Sequence, residues 1–258
     1  MKALIGDIGN TVTKVCLIET KNFKIEKMIS FNTSDIYSVS VLKKNFKKVV
    51  KKEFNIKIAL FSNVVPKYEL FLKKFIYKFY NIKFKEIKNK SINKIVKLNV
   101  KNKNEVGSDR IANAVGVYKK YKANCIVLDL GTATTFDVVT KNGVYNGGVI
   151  APGVNLSIKS LSDKADRIKS FSLKKPKTVV GKNTLEALYS GFYWGYSGLI
   201  NNIILKIENQ TKLKYKIIFT GGYSNLFTTS LVRSYKIDKN ITIFGIIEIF
   251  KKNIKYLN

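Results

Sequence analysis

The feature that most constrains the fold is a short pattern that occurs twice, about half a chain apart. Ala3-Leu4-Ile5-Gly6-Asp7-Ile8-Gly9-Asn10-Thr11 leads into the β-rich run 12–19, and Cys125-Ile126-Val127-Leu128-Asp129-Leu130-Gly131-Thr132 leads into 133–140. Each copy is an apolar strand, an Asp-x-Gly turn and a second apolar strand. That reads as a hairpin whose glycine turn leaves a carboxylate at the strand end. Two copies imply an internal duplication. The expected halves are residues 1–115 and 116–258.

The segments between the hairpins alternate in period. Residues 24–33, 57–63 and 216–220 read as strands; 36–54, 68–80, 111–121, 184–210 and 241–254 carry helical spacing. Alternating strands and helices indicate an α/β class, here two halves that each carry a mixed sheet flanked by helices. Proline is scarce, with 3 in 258 residues, and no flexible linker is visible. No apolar run approaches the roughly 20 residues that cross a bilayer, and the N-terminal run reads as a strand, so neither a membrane partner nor a signal peptide is expected. Cys16 and Cys125 sit in apolar strands. Two buried thiols in a reduced, cytoplasmic setting are expected, although the count alone allows a disulfide.

The formal net charge is +30, from 47 basic and 17 acidic residues. Such a balance raises nucleic acid as a partner. Arginine, the residue best suited to bidentate recognition of bases and phosphates, occurs only at Arg110, Arg167 and Arg233. The rest is lysine spread over many elements beside abundant Ile and Asn, so a coding bias is expected and a specific nucleic-acid partner is not. The absence of histidine removes a His general base, His metal ligands and Ser-His-Asp chemistry. Proton transfer near neutral pH must then use Asp, Glu, Lys, Tyr or Cys.

Several segments carry chemistry. In Asp7-Ile8-Gly9-Asn10-Thr11-Val12-Thr13-Lys14, backbone N–H groups at the Gly9 turn can face a phosphate. Asn10, Thr11 and Thr13 add neutral donors and Lys14 adds charge, while Asp7 could hold Mg²⁺ directly or through water. Asp129 and the hydroxyl-bearing run after it, including Thr132, repeat the arrangement. Phe219-Thr220-Gly221-Gly222-Tyr223 ends a strand in a double glycine that would let backbone approach a flat ligand. Gly107-Ser108-Asp109-Arg110 opens a helical run. Asp109 reads either as a helix cap or as the base for a substrate hydroxyl, with Arg110 binding an anionic group. Glu86 and most other carboxylates lie in lysine-bearing segments and fit a base less well. The helical run also carries Gly191, Gly195 and Gly198 among aromatic residues. Glycine costs a helix about 1 kcal/mol relative to alanine, so three imply close approach of another backbone, in this chain or in a partner.

Two Asp-x-Gly hairpins followed by a late strand-Gly-Gly resemble the phosphate and adenosine sites of the actin and ribonuclease-H-like fold shared by actin, hexokinase and acetate kinase. Within that fold, Asp7–Thr11, Gly107–Arg110, the run from Asp129 to Thr135, and Gly181-Lys182-Asn183-Thr184 together resemble the type III pantothenate kinase family; Gly147–Gly153 and Thr220–Gly222 match in order. The resemblance implies an enzyme that phosphorylates pantothenate with ATP and Mg²⁺ in coenzyme A biosynthesis. It implies that residues 7–14 and Thr132 bind ATP, and that Gly107, Ser108, Asp109 and Arg110 bind pantothenate with Asp109 as proton acceptor. It further implies that Asp129 binds K⁺ or NH₄⁺, and that Thr184 reaches pantothenate from the second subunit of a homodimer. The family's substrate-contacting tyrosine falls at Val100 here, which puts affinity more than reaction type in question. A nucleotide-binding regulator of the same fold is the alternative, because fold alone does not fix function.

Overall fold

The computed structural model describes residues 1–51, 54–230 and 234–257. Lys52 and Glu53, inside the span read as helical, and Arg233 lie outside the described residues. The strands are β1 (Lys2–Ile8), β2 (Val12–Glu19), β3 (Ile25–Asn32), β4 (Ile56–Asn63), β5 (Lys83–Glu86), β6 (Lys97–Leu98), β7 (Cys125–Leu130), β8 (Ala133–Val139), β9 (Val144–Pro152), β10 (Lys216–Gly221) and β11 (Tyr235–Ile237). The helices are α1 (Val39–Phe46), α2 (Pro66–Tyr80), α3 (Ser108–Tyr121), α4 (Val154–Lys164), α5 (Thr184–Thr211), α6 (Ser224–Phe227) and α7 (Ile241–Leu257).

The chain divides into two compact units. One holds Met1–Lys120, Gly143–Tyr145 and Asn240–Asn258, the other Tyr121–Asn142 and Asn146–Lys239. The boundary read from the sequence at 115/116 falls inside α3, and 240–258 belongs with the first unit rather than the second. The reason is apolar: Ile243, Ile246, Ile247, Ile249 and Phe250 of α7 are buried, and the helix packs against β1 and β4.

In the first unit the sheet order is β3-β2-β1-β4-β5. β1 pairs antiparallel with β2 and parallel with β4, and β4 pairs parallel with β5. Ala3, Leu4, Ile5 and Ile8 are fully buried, which fits a central strand covered on both faces. Leu4 and Ile8 join Phe61 of β4 and Leu72, Phe75 and Ile76 of α2 in one core cluster. In the second unit the order β11-β10-β7-β8-β9 repeats this plan, with β7 antiparallel to β8 and parallel to β10. The matching orders agree with the duplication read from the hairpins and make the fold α/β with two mixed sheets.

The remaining expectations divide cleanly. The strands and longer helices that were predicted fall within a few residues of their expected spans. The 36–54 helix does not: a 3₁₀ turn at Thr33–Tyr37 precedes α1, which starts on the Ser38 cap and stops at Phe46. Phe46, Val49 and Val50 then tuck into the core. Both cysteines are free and buried. Among the described residues, no helix is long and apolar enough to cross a membrane.

Helices α3 and α7 meet almost backbone to backbone. A Cβ on Gly245 would lie 1.8 Å from the carbonyl oxygen of Ala112. Beside this crossing Thr242 Oγ1 donates to Asn113 Oδ1 at 2.7 Å, and both residues are buried. Gly245→Ala should therefore force the helices apart and cost about 1–3 kcal/mol, the usual penalty of overpacking. Urea unfolding of the variant measures this, and an unchanged midpoint would refute the contact.

Candidate active site

The apolar run of β1 ends by placing Asp7 beside the turn. Directly opposite on β2 is Lys14, on the same face of the sheet, and on β4 the partner is Ser62. The turn is held from below. Gly9 N–H donates to Val12 O at 3.2 Å, Thr33 Oγ1 donates to Gly9 O at 2.7 Å, and Thr13 and Thr33 share a hydroxyl contact at 3.0 Å. Thr13 is fully buried. Its hydroxyl therefore braces the loop and does not face a phosphate as expected, because Thr33 has already given its proton to Gly9. Asn10 and Thr11 are exposed at the tip.

Asp7 Oδ1 is out of solvent contact and accepts no hydrogen bond. Burial, and then the charge of Asp109, push the Asp7 carboxyl up to about 7, against the pull of Ser62 and Lys14. Burial also raises Asp109, opposed by the Arg110 backbone N–H and the Arg110 charge. An unpartnered buried carboxylate oxygen fits a group meant to face a divalent cation. Among the described residues, no cluster of three or more ligating side chains exists. A cation held here would thus take few protein ligands and several from water or phosphate.

Asp109 is inside the first turn of α3 rather than capping it. Its Oδ1 accepts the N–H of Arg110 at 2.7 Å. A Cβ on Gly107 would stand 2.6 Å from that same Oδ1 and 3.5 Å from Val64 Cγ1, so only glycine leaves the carboxylate room. Ser108 is buried, and its hydroxyl lies 2.5 Å from Glu86 Oε1 and 3.1 Å from Asn63 O. The side chain expected to meet substrate is turned inward, which leaves the Ser108 backbone as its exposed chemistry. Val100 is half-buried just after β6. The Arg110 guanidinium lies over the ring of buried Tyr145, 5.8 Å from its centroid.

In the second unit Asp129 ends β7, paired with Thr135 of β8 and Thr220 of β10. Gly221 has φ +85°, and a Cβ there would meet Asp129 Oδ1 at 2.5 Å. Thr132 is exposed at the hairpin tip, and Thr184 is exposed at the start of α5, where Asn183 Oδ1 caps the N–H of Glu186 at 2.9 Å.

The family model described as type III pantothenate kinase matches residues 3–206. The type III pantothenate kinase of Pelagibacter ubique strain HTCC1062 is 46% identical over 244 residues, 95% of this chain and 96% of the relative. The chain belongs to the type III pantothenate kinase family. Its activity is the ATP-dependent phosphorylation of pantothenate in coenzyme A biosynthesis. Two solved structures share the fold. One, from Campylobacter jejuni and assigned to the Baf family of transcriptional activators, has TM-score 0.63 and 21% identity, covering 98% of this chain and 99% of that one. The other, from Listeria monocytogenes and assigned as an N-acetylmannosamine kinase, has TM-score 0.54 and 12% identity, covering 98% and 100%.

Two contributors to the site escaped the sequence reading. Tyr145 belongs to a three-residue excursion, Gly143–Tyr145, that joins the first unit from a distant part of the chain. Glu86 was set aside for its lysine-rich surroundings, which gave no sign of its contact with Ser108.

The pH dependence of stability reports on Asp7. Its folded pKa of about 7 exceeds the ordinary 3.8. Folding therefore favours the protonated form. The resulting stability is complete below pH 3.8 and is lost as pH rises through 7, with a slope of at most about 1.4 kcal/mol per pH unit. Urea unfolding of nucleotide-free wild type and Asp7→Asn from pH 4.5 to 7.5 should show the wild type losing stability faster. Parallel curves would contradict the assigned burial.

Proposed function

We propose that the enzyme transfers the γ-phosphoryl group of ATP to the primary hydroxyl of pantothenate with Asp109 as the proton acceptor. The observation that carries this reading is Asp109 itself. Its Oδ1 is fixed by the Arg110 N–H, burial raises its carboxyl above the ordinary value, and it is close enough to the Asp7 hairpin for its charge to shift Asp7. Oδ2 is left to take the hydroxyl proton as the oxygen attacks. Arg110 offers its guanidinium to the substrate's anionic end. Backbone N–H groups at Asn10 and Thr11 and the Lys14 charge offset the negative charge of the moving phosphoryl group. Catalysis of this kind rests on positioning and electrostatics.

Asp7 is the residue we assign to Mg²⁺, which when bound neutralises phosphate charge; Asp129, at the mouth of the second hairpin, is assigned to K⁺ or NH₄⁺. Thr132 is assigned to ATP. Free, buried thiols agree with a cytoplasmic location for this reaction. Asp109→Asn should lower kcat by 10²–10⁴-fold while leaving ATP affinity unchanged. A coupled ADP-release assay measures it, and more than about a tenth of wild-type turnover would remove Asp109 from the role.

The enzyme is further assigned as a homodimer built on α5. Gly191, Gly195 and Gly198 are exposed, and a Cβ on any of them would meet nothing within 4 Å. The close contact that three helix glycines imply is therefore not made inside the described chain. Trp194, 44% exposed, lies on the same stripe, as do exposed Ala187 and Leu205. This spacing suits a second copy of α5, and Thr184 at its start would then reach the other subunit's substrate. Subunits carrying Asp109→Asn, exchanged with subunits carrying Thr184→Arg, should regain activity. Random assortment makes about half the dimers mixed, each with one intact site, so recovery should approach a quarter of wild type. Proven exchange without recovery would exclude a shared site.

A further inference from the structure

The loop that leads into the substrate motif has almost no regular structure of its own. Between β6 and α3 only a single 3₁₀ turn, Lys103–Glu105, interrupts the loop, yet Asp109 must be aimed with precision. Its support comes from the end of β5. Ser108 Oγ lies 2.5 Å from Glu86 Oε1, while Glu86 Oε2 accepts the Lys88 N–H at 2.5 Å. Lys88 Nζ reaches the same loop from the other side, donating to Asn104 O at 2.8 Å and to Val106 O at 3.0 Å. Two side chains separated by one residue thus grip the loop at three points over five residues, immediately before Asp109. Asn63 completes the grip: its carbonyl lies 3.1 Å from Ser108 Oγ, and its amide is held by Glu69 Oε2 at 2.8 Å.

We propose that Glu86 and Lys88 are positioning residues for the pantothenate motif, a clamp that fixes Ser108 and the preceding backbone so that Asp109 and Arg110 keep their aim. The inference rests on the reading of Gly107–Arg110 as the pantothenate site. It assigns Glu86 no proton transfer. Both Glu86 oxygens are engaged, by Ser108 and by Lys88. Hydrogen bonds from an ammonium group are about twice as strong as neutral ones, so a loop anchored by Lys88 Nζ at Asn104 O and Val106 O is held more firmly than by backbone turns alone. The clamp is local to the substrate motif. The Asp7 hairpin is braced separately through Thr13 and Thr33, which predicts that loosening the clamp affects pantothenate and not ATP.

A cavity of about 350 Å³, bordered by Asn63, Glu69, Glu86, Lys88 and Ser108, adjoins the clamp. Truncating Glu86 would extend this cavity rather than leave a sealed void, so the fold should tolerate it. Steady-state kinetics with each substrate varied, together with calorimetric binding of a non-hydrolysable ATP analogue, give the test. Glu86→Ala should raise the KM for pantothenate about tenfold, lower kcat as Asp109 loses its aim, and leave analogue affinity unchanged. Glu86→Gln, which keeps one oxygen for Ser108, should recover most of that effect. Lys88→Met, at an exposed residue, should raise the pantothenate KM about threefold, and it serves as the deciding variant if Glu86→Ala does not fold. A pantothenate KM within twofold of wild type in the folded variant overturns the proposal. So does an equal loss of ATP-analogue affinity, or Glu86→Gln no better than alanine. Arg110→Ala separates this from the underlying reading. If Arg110→Ala raises the pantothenate KM while the clamp variants do not, only the clamp fails; if none does, the motif itself is misread.

Discussion

Two carboxylates that share a poorly solvated corner set the terms for the first unit. Burial alone raises both Asp7 and Asp109, and the charge of Asp109 raises Asp7 further. Like charges withdrawn from water cannot both ionise freely. The Lys14 charge across the hairpin and the Arg110 N–H soften the conflict without removing it. Without a cation the conflict is resolved by a proton, which Asp7 holds up to about pH 7. A divalent cation at Asp7 would resolve it by displacing that proton, so cation binding and proton release are linked. Two acids placed this close in a buried corner thus suit the division of roles proposed above, one carboxylate for the cation and one for the hydroxyl proton.

The second unit repeats the geometry with different neighbours. Asp129 occupies the position of Asp7, at the end of the central strand before the hairpin turn. Opposite Asp7 stands Lys14, whereas Asp129 is flanked by Thr135 and Thr220. A lysine beside a carboxylate suits a site that also faces phosphate, where positive charge has a second use. Hydroxyl neighbours are the groups on which the proposed monovalent-cation role of Asp129 would draw. One ancestral hairpin, used twice, acquires two electrostatic characters through single positions on adjoining strands.

What was legible in the sequence was local. The hairpins could be read because Asp-x-Gly interrupts apolar runs that have few other interpretations, and α2, α3 and α5 because their apolar spacing is sustained. Strand β9 was missed: apart from buried Tyr145 its residues alternate between half-buried and exposed, and they include Gly147 and Gly148, which weaken a strand pattern. Helix α4 was hidden behind Pro152-Gly153. The long 36–54 helix was over-read because Lys43, Lys44, Lys47 and Lys48 continue a plausible exposed face past the point where Val49 and Val50 turn into the core. The return of 240–258 to the first unit depends on Gly245 meeting Ala112, a fit between distant segments that no local pattern records.

The four residues of Gly107-Ser108-Asp109-Arg110 illustrate the same limit at the scale of a motif. Read as a string, all four belong to substrate binding. In three dimensions they divide the work. Gly107 supplies the space into which the Asp109 carboxylate folds, and Ser108 is turned to Glu86 as an anchor. Asp109 is steered by the N–H of its own neighbour, and Arg110 lies over Tyr145. Only the last two present reactive side chains. Spacing therefore identifies such a motif, but the role of each member follows from partners that lie 22 residues away at Glu86 and 35 at Tyr145. That is why replacing Ser108 or Glu86, neither of which needs to touch substrate, bears on how well the acid beside them is aimed.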